Sequence, residues 1–285
     1  MSYETLLYDT DGAIATITLN RPDRLNTIVP PMPDEIEAAI DAAVADVNVK
    51  VIVLRGAGRS FCAGFDLGGG FHWWDEALTT DGRWDPGKDF VMATSPTFGA
   101  VPKFMRIWRS PKPVIAQVHG YCVGGGTDFA LCSDLIVCAR DARIGYPPAR
   151  VWGSPTTSMW IYRLGLERAK RLLLTGDALD GERAVEWGLA SEAVEADKLD
   201  EAALALARRV ARLPSNQLHM MKLLVNQAYE QMGLRVTQLI GTLLDGAARH
   251  TPEGVEFSRR ALQEGVAKAV AERDAPFGDY GQAPR

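Results

Sequence analysis

The stretch HGYCVGGGTDFALCSDL, residues 119–135, constrains this chain more than any other. A β-like apolar run over 113–118 leads into three consecutive glycines, Gly124, Gly125 and Gly126. A helical pattern carrying one acid, Asp128, follows at once. Without Cβ atoms the backbone can turn sharply and let a ligand approach its amides. The helix that follows directs unpaired N–H groups, and the positive end of its dipole, at whatever occupies the turn. Two structures satisfy this pattern. One is an oxyanion site with an acid/base beside it; the other is a tight turn whose aspartate favours a helix N-terminus. These residues alone leave both open.

A chain of 285 residues suits one large domain or two smaller ones, at roughly 150 residues per domain. The net charge of −5 argues against a nucleic-acid surface, which would be basic. It leaves room for an anionic ligand held by a few local arginines. Cys62, Cys122, Cys132 and Cys138 form no C-x-x-C pair and have no zinc-type histidine spacing, so no metal is expected. They read as reduced, mostly buried thiols of a cytosolic protein. The N-terminal MSYETLLYD lacks a basic region followed by an apolar one. No window approaches the ~20 apolar residues of a membrane span. The expectation is a cytoplasmic protein.

Along the chain, 6–8 and 13–19 read as strands around the turn at Gly12, and 34–46 as a helix from Ile36, Ile40, Val44 and Val47. Val51 to Leu54 is a short, wholly apolar strand of the buried kind. The loop RGAGRSFCAGFDLGGG follows it; Gly56-x-Gly58 there fails as a dinucleotide fingerprint because Phe61 takes the third glycine position. Residues 71–96, with His72, Trp73, Trp74 and Trp84, read as an irregular insertion or lid. Helices are expected at 101–109, 157–164, 166–174, 180–187, 197–213, 215–232, 236–248 and 252–270, and a further buried strand at 135–139. The change from β/α alternation to nearly all helix places a boundary at 197/198: a core of 1–197 and a helical region of 198–285.

With both glycine-bearing loops placed, the chain resembles the crotonase superfamily, the enoyl-CoA hydratase/isomerase family. The resemblance rests on LNRPDRLNTI (19–28), RSFCAGFDL (59–67), KPVIAQVHGYCVGGGTDFALCSDLIVC (112–138), RLLLTGDALDGERAVEWGLASEAV (171–194) and ERDAPFGDY (272–280). It implies an α/β fold, a crotonase-like spiral of ββα units, with a helical C-terminal region that assembles subunits into a homotrimer or a hexamer of paired trimers. It also implies an acyl-CoA substrate and no resident cofactor, coenzyme A entering as part of the substrate. Carried over by position, the two oxyanion amides belong to Phe65 and Gly125, with Phe65 standing where many hydratases have alanine. Arg24 matches a basic residue that contacts the coenzyme A phosphates. Ala63 matches a position whose backbone meets the adenine or the pantetheine arm. Asp66 matches an aspartate that holds the loop in shape.

The chain departs from the family pattern at the acids. The family's hydratases use two glutamates; here Asp128 takes the first position, and the second falls on Pro148 or Ala149, neither acidic. Adding water across a conjugated double bond needs a base for the water and an acid for Cα. Tyr146, Arg150 and Thr156 lie near the gap in sequence as weak substitutes. Three functions fit: an enoyl-CoA hydratase-like enzyme, an enoyl-CoA isomerase or acyl-CoA hydrolase with Asp128 as sole base, or a non-catalytic acyl-CoA-binding oligomer.

Overall fold

The computed structural model describes residues 3–67, 77–95, 97 and 99–280. Its centre is a six-stranded sheet built on the apolar runs of the first half. Leu6–Asp11 and Ile14–Leu19 pair antiparallel about Gly12, whose φ of +57° suits the turn. Ile14–Leu19, Val51–Gly56, Val114–Val118, Leu135–Ala139 and Glu192–Val194 then run parallel, each beside the last. Parallel strands need crossovers that cover the sheet, and the strands accordingly carry continuous apolar stretches. Val51, Ile52 and Leu54 have no exposed surface.

Met32–Ala45 contributes Ile36, Ala39, Ile40 and Ala43 to the core and packs against Ala100–Arg109. A small second sheet joins Tyr121–Val123, Arg143–Gly145 and Ala178–Leu179. None of those short strands stands out in the sequence, because each pairs over only two or three residues. The spiral expected from the resemblance is the observed architecture.

The boundary expected at 197/198 lies just before Leu199–Ala211, a helix that packs on Val51–Gly56, Val114–Val118 and Leu135–Ala139. Leu199, Ala203, Ala207 and Leu234 share one buried cluster with the sheet. The helices Ser215–Gln231, Leu234–Arg249, Pro252–Glu264 and Val266–Asp274 follow it among the described residues. The single helix expected over 252–270 is thus two, divided at Gly265, whose φ of +95° cannot continue a helix. Met159–Thr175 likewise breaks at Gly165 (φ +72°), as the sequence suggests.

The segment expected to be irregular is partly regular. Thr79–Thr80 and Arg83–Trp84 form a hairpin, and Pro86–Thr94 is a helix capped by Asp85, which accepts from the amides of Gly87 and Lys88. That helix packs on Leu234–Arg249. His72, Trp73 and Trp74 lie outside the described residues. No helix among the described residues is long and apolar enough to cross a membrane.

Candidate functional site

Three loops are stitched together before any side chain faces a ligand. Asn26 is fully buried and donates from its amide to the carbonyls of Ala57 and Ser60, both at 2.8 Å. Ala63 N–H donates to Leu25 O at 3.0 Å, and Ile28 N–H to Gly64 O at 2.8 Å. Asp66 accepts from Arg21 and from Thr27 Oγ1, each at 3.1 Å, tying the 19–28 loop to the 59–67 loop. Cys62 in turn exchanges backbone bonds with Tyr121 and Val123. The segment bearing Phe65 is thereby laid against the strand that leads into the three glycines.

The approach is close enough to require glycine. A Cβ on Gly125 would lie 2.6 Å from the Phe65 ring, and one on Gly126 would lie 2.3 Å from Cys62 O. A Cβ on Gly64 would sit 3.3 Å from Gly125 N. Gly124 takes the turn at φ +55°. The amide of Gly125 donates to no acceptor among the described residues. The following helix, Gly126–Cys132, has only seven residues, so the dipole expected from the sequence adds little, and the local amides dominate.

Asp128 lies within that helix and is 2 % exposed. Its Oδ1 accepts from Thr157 Oγ1. Burial pushes its carboxyl up to about 7; Thr157 pulls it back and the charge of Asp245 adds to the rise. Thr127 secures the turn by donating to Gly124 O at 2.6 Å and accepting from Trp160 Nε1.

A cavity of about 310 Å³ brings Phe65, Gly125, Asp128, Tyr146 and Ala63 together. A neighbouring one of about 140 Å³ shares Phe65, Leu67, Trp152 and Thr156 with it and continues to Leu78, Met92 and Val101. The amide of Ala63 is already taken by Leu25, leaving its carbonyl as its only backbone group for a ligand. Arg24 is exposed at the end of the Pro22–Arg24 turn and lines neither cavity.

The gap at the second acid is real in space as in sequence. Pro148 lines the cavity, while Ala149 packs on the core. Arg150 is excluded as a substitute because it points elsewhere. Its guanidinium, 1 % exposed, bonds Asp279 at 2.6 and 2.9 Å and Asp274 at 3.1 Å, and lies 3.9 Å over the Phe277 ring. Tyr146 and Thr156 do face the cavity. Burial, with Asp245 and Asp128 nearby, drives the Tyr146 phenol well above its ordinary range.

Two acids that sequence reasoning missed line the larger cavity: Asp274, which is held by Arg150 and Arg273, and Asp245. Asp245, on Leu234–Arg249, lines both cavities. It accepts from Ser154 N–H at 3.0 Å and pairs with Arg249 Nε at 3.5 Å. Burial raises its pKa, while Arg249 and the Ser154 amide oppose that rise. Its only local signal is a lone acid amid small and apolar residues, TLLDGAA. No cluster of three His, Cys, Asp or Glu suited to a metal occurs among the described residues.

The sequence model of the enoyl-CoA hydratase/isomerase family matches residues 9–256. The chain belongs to the enoyl-CoA hydratase/isomerase family. A probable enoyl-CoA hydratase of Rhizobium meliloti is 32% identical over 293 residues, covering 97% of this chain and 99% of that protein. The 1,2-epoxyphenylacetyl-CoA isomerase of Escherichia coli is 32% identical over 277 residues, covering 96% and 98%. The crystal structure of an enoyl-CoA hydratase from Mycobacterium smegmatis superposes with a TM-score of 0.91 at 43% identity, covering 98% of this chain and 97% of that one. The two sequence relatives carry the names of different reactions at the same identity. Within the hydratase/isomerase family, the choice for this member rests on the groups in its own cavity.

Proposed function

We propose that the protein is an enoyl-CoA hydratase-like enzyme that acts on a 2-enoyl-CoA thioester. The observation that carries the reading is the unpaired amide of Gly125, set beside the Phe65 segment and above a buried Asp128 in one cavity. The thioester oxygen accepts from the amides of Phe65 and Gly125 and holds the charge of an enolate. Preorganised main-chain donors of this kind are each worth about 3 kcal/mol of transition-state stabilisation. Asp128 carries the proton to and from Cα. Its raised pKa suits a group that must be found in both states near neutrality.

Coenzyme A enters with the substrate, its phosphates meeting Arg24 and its adenine or pantetheine arm running past Ala63, while Asp66 keeps that loop in shape. The active unit is a homotrimer or a pair of trimers, in the cytoplasm. Met220, Leu224 and Val225 on Ser215–Gln231, with Val236 and Ile240 on Leu234–Arg249, leave an apolar surface that supports assembly. Four buried free thiols suit a reducing compartment.

The similarity to the 1,2-epoxyphenylacetyl-CoA isomerase, an isomerase by name, favours a second reading, an enoyl-CoA isomerase or acyl-CoA hydrolase with Asp128 as sole base. Mass analysis after incubation with short- and medium-chain 2-enoyl-CoAs separates the two. Hydration adds one water; isomerisation leaves the mass unchanged and moves the double bond. Asp128→Asn is expected to lower turnover by about 10²–10⁴-fold while thioester binding persists. Full activity in that variant would rule out the assignment, and tight binding without turnover in the wild type would indicate a non-catalytic binder.

A further inference from the structure

The hydration reading leaves one chemical requirement unmet: a group to take the proton from water. Asp245 has the position for it. It lines the same cavity as Gly125 and Asp128 and also the adjoining one, so it stands where the two meet. A methyl-sized group on Gly153 would lie 3.6 Å from both Asp245 Oδ1 and the Tyr146 hydroxyl, which places that carboxylate beside the 3-10 turn where the family glutamate is absent.

Its surroundings also leave it unfinished as a purely structural acid. The Ser154 amide and Arg249 occupy part of its acceptor capacity, where an ionised carboxylate offers about four lone-pair sites. Arg249 is shared with a second buried acid, Asp89, at 3.7 Å, and Asp89 is itself fixed by Trp84 Nε1 at 2.9 Å. Two carboxylates thus divide one cation, and the charge on Asp245 is only partly offset. Burying a charge that is only partly paired is costly, and a group of that kind in a cleft is a candidate for a functional role.

We propose that Asp245 is the second proton-transfer carboxylate, the base that activates water, contributed by a C-terminal helix instead of by the turn after the glycines. The inference rests on the hydratase reading. Water gives a proton to the Asp245 carboxylate as its oxygen forms a bond to Cβ. The π pair of the Cα–Cβ bond moves toward the thioester, giving an enolate whose oxygen is held by the Phe65 and Gly125 amides. The enolate then takes the proton of neutral Asp128 at Cα. One water has been added with no change in oxidation state, and a proton passed from Asp245 to Asp128 through solvent restores both groups. The division of labour follows from their partners: Asp245 has Arg249 to favour its ionised form, whereas Asp128 has a hydroxyl.

The test uses two reactions that need different numbers of carboxylates. Hydration of crotonyl-CoA needs both, whereas wash-in of deuterium at Cα of butyryl-CoA in D2O needs only Asp128 and the oxyanion amides. In Asp245→Asn, hydration is expected to fall by about 10²–10⁴-fold while deuterium wash-in stays near the wild-type rate. Asp245→Glu should recover part of the hydration. Wild-type hydration in Asp245→Asn would overturn the proposal, and so would an equal loss of both reactions, which marks a structural role. A wild-type protein that washes deuterium in yet adds no water would instead defeat the hydratase reading, and this inference with it.

Discussion

At the scale of single residues, Asp128 holds the most information. It is buried without a cation beside it among the described residues, and its carboxyl is pushed up to about 7. The groups facing it are Thr157, Asp245 and Tyr146, together with the thiols of Cys62, Cys122 and Cys132. The thiols and the phenol are driven upward, away from neutrality, whereas the Asp128 carboxyl is pushed up to about 7. As proton donor to Cα, Asp128 must begin protonated. Hydration, followed as kcat/KM, should therefore decline as pH rises through about 7. Deuterium wash-in begins with Asp128 ionised and should rise over the same interval. Opposite slopes on one protein would identify a single group used in both directions; parallel slopes would exclude it.

At the scale of elements, the Pro147–Arg150 turn matters for what it holds. Tyr146, Pro147 and Pro148 line the cavity, and Arg150 anchors that turn to Val266–Asp274 through Asp274 and to the residues after that helix through Asp279. Both Arg150 and Asp274 are almost fully buried, but Asp274 also accepts from Arg273 at 2.7 and 2.8 Å, so removing Arg150 costs charge-assisted bonds without leaving that acid unpaired. Losing such bonds costs about 1.5–3 kcal/mol. Arg150→Ala should accordingly lower the thermal unfolding midpoint by roughly 5 °C in calorimetry. It should also raise KM for the acyl-CoA through the displaced turn, with a smaller effect on kcat.

At the scale of the whole molecule, Ser215–Gln231 and Leu234–Arg249 expose apolar side chains on which the proposed assembly would rest. Leu224 is 65% exposed and Met220 51%. Leu224→Glu should move the light-scattering mass from a trimer or hexamer toward a monomer. An unchanged mass would place the interface elsewhere. Leu234–Arg249 also carries Asp245 at its cavity side, so the same helix serves the proposed assembly and the proposed chemistry.

Much of this protein can be read from local pattern. Continuous apolar runs at 51–54 and 135–139 announce buried parallel strands, and Gly124, Gly125 and Gly126 followed by Asp128 announce a turn that a ligand can approach. These features depend on residues adjacent in the chain, where spacing and side-chain type act directly. The short strands at Tyr121–Val123 and Arg143–Gly145 lack such a signal because partners distant in sequence define them. The same is true of Asp66, whose tie to Arg21 spans 45 residues. Asp245 is the extreme case. Its small and apolar neighbours, TLLDGAA, hint only at burial; the packing of Leu234–Arg249 over the cavity sets it against Arg249 and Ser154 and brings it into the cavity that Asp128 lines. Local chemistry prescribed the glycine turn and the acid that follows it, whereas which distant acid shares their cavity was decided by the fold, because reach is a property of space and not of spacing.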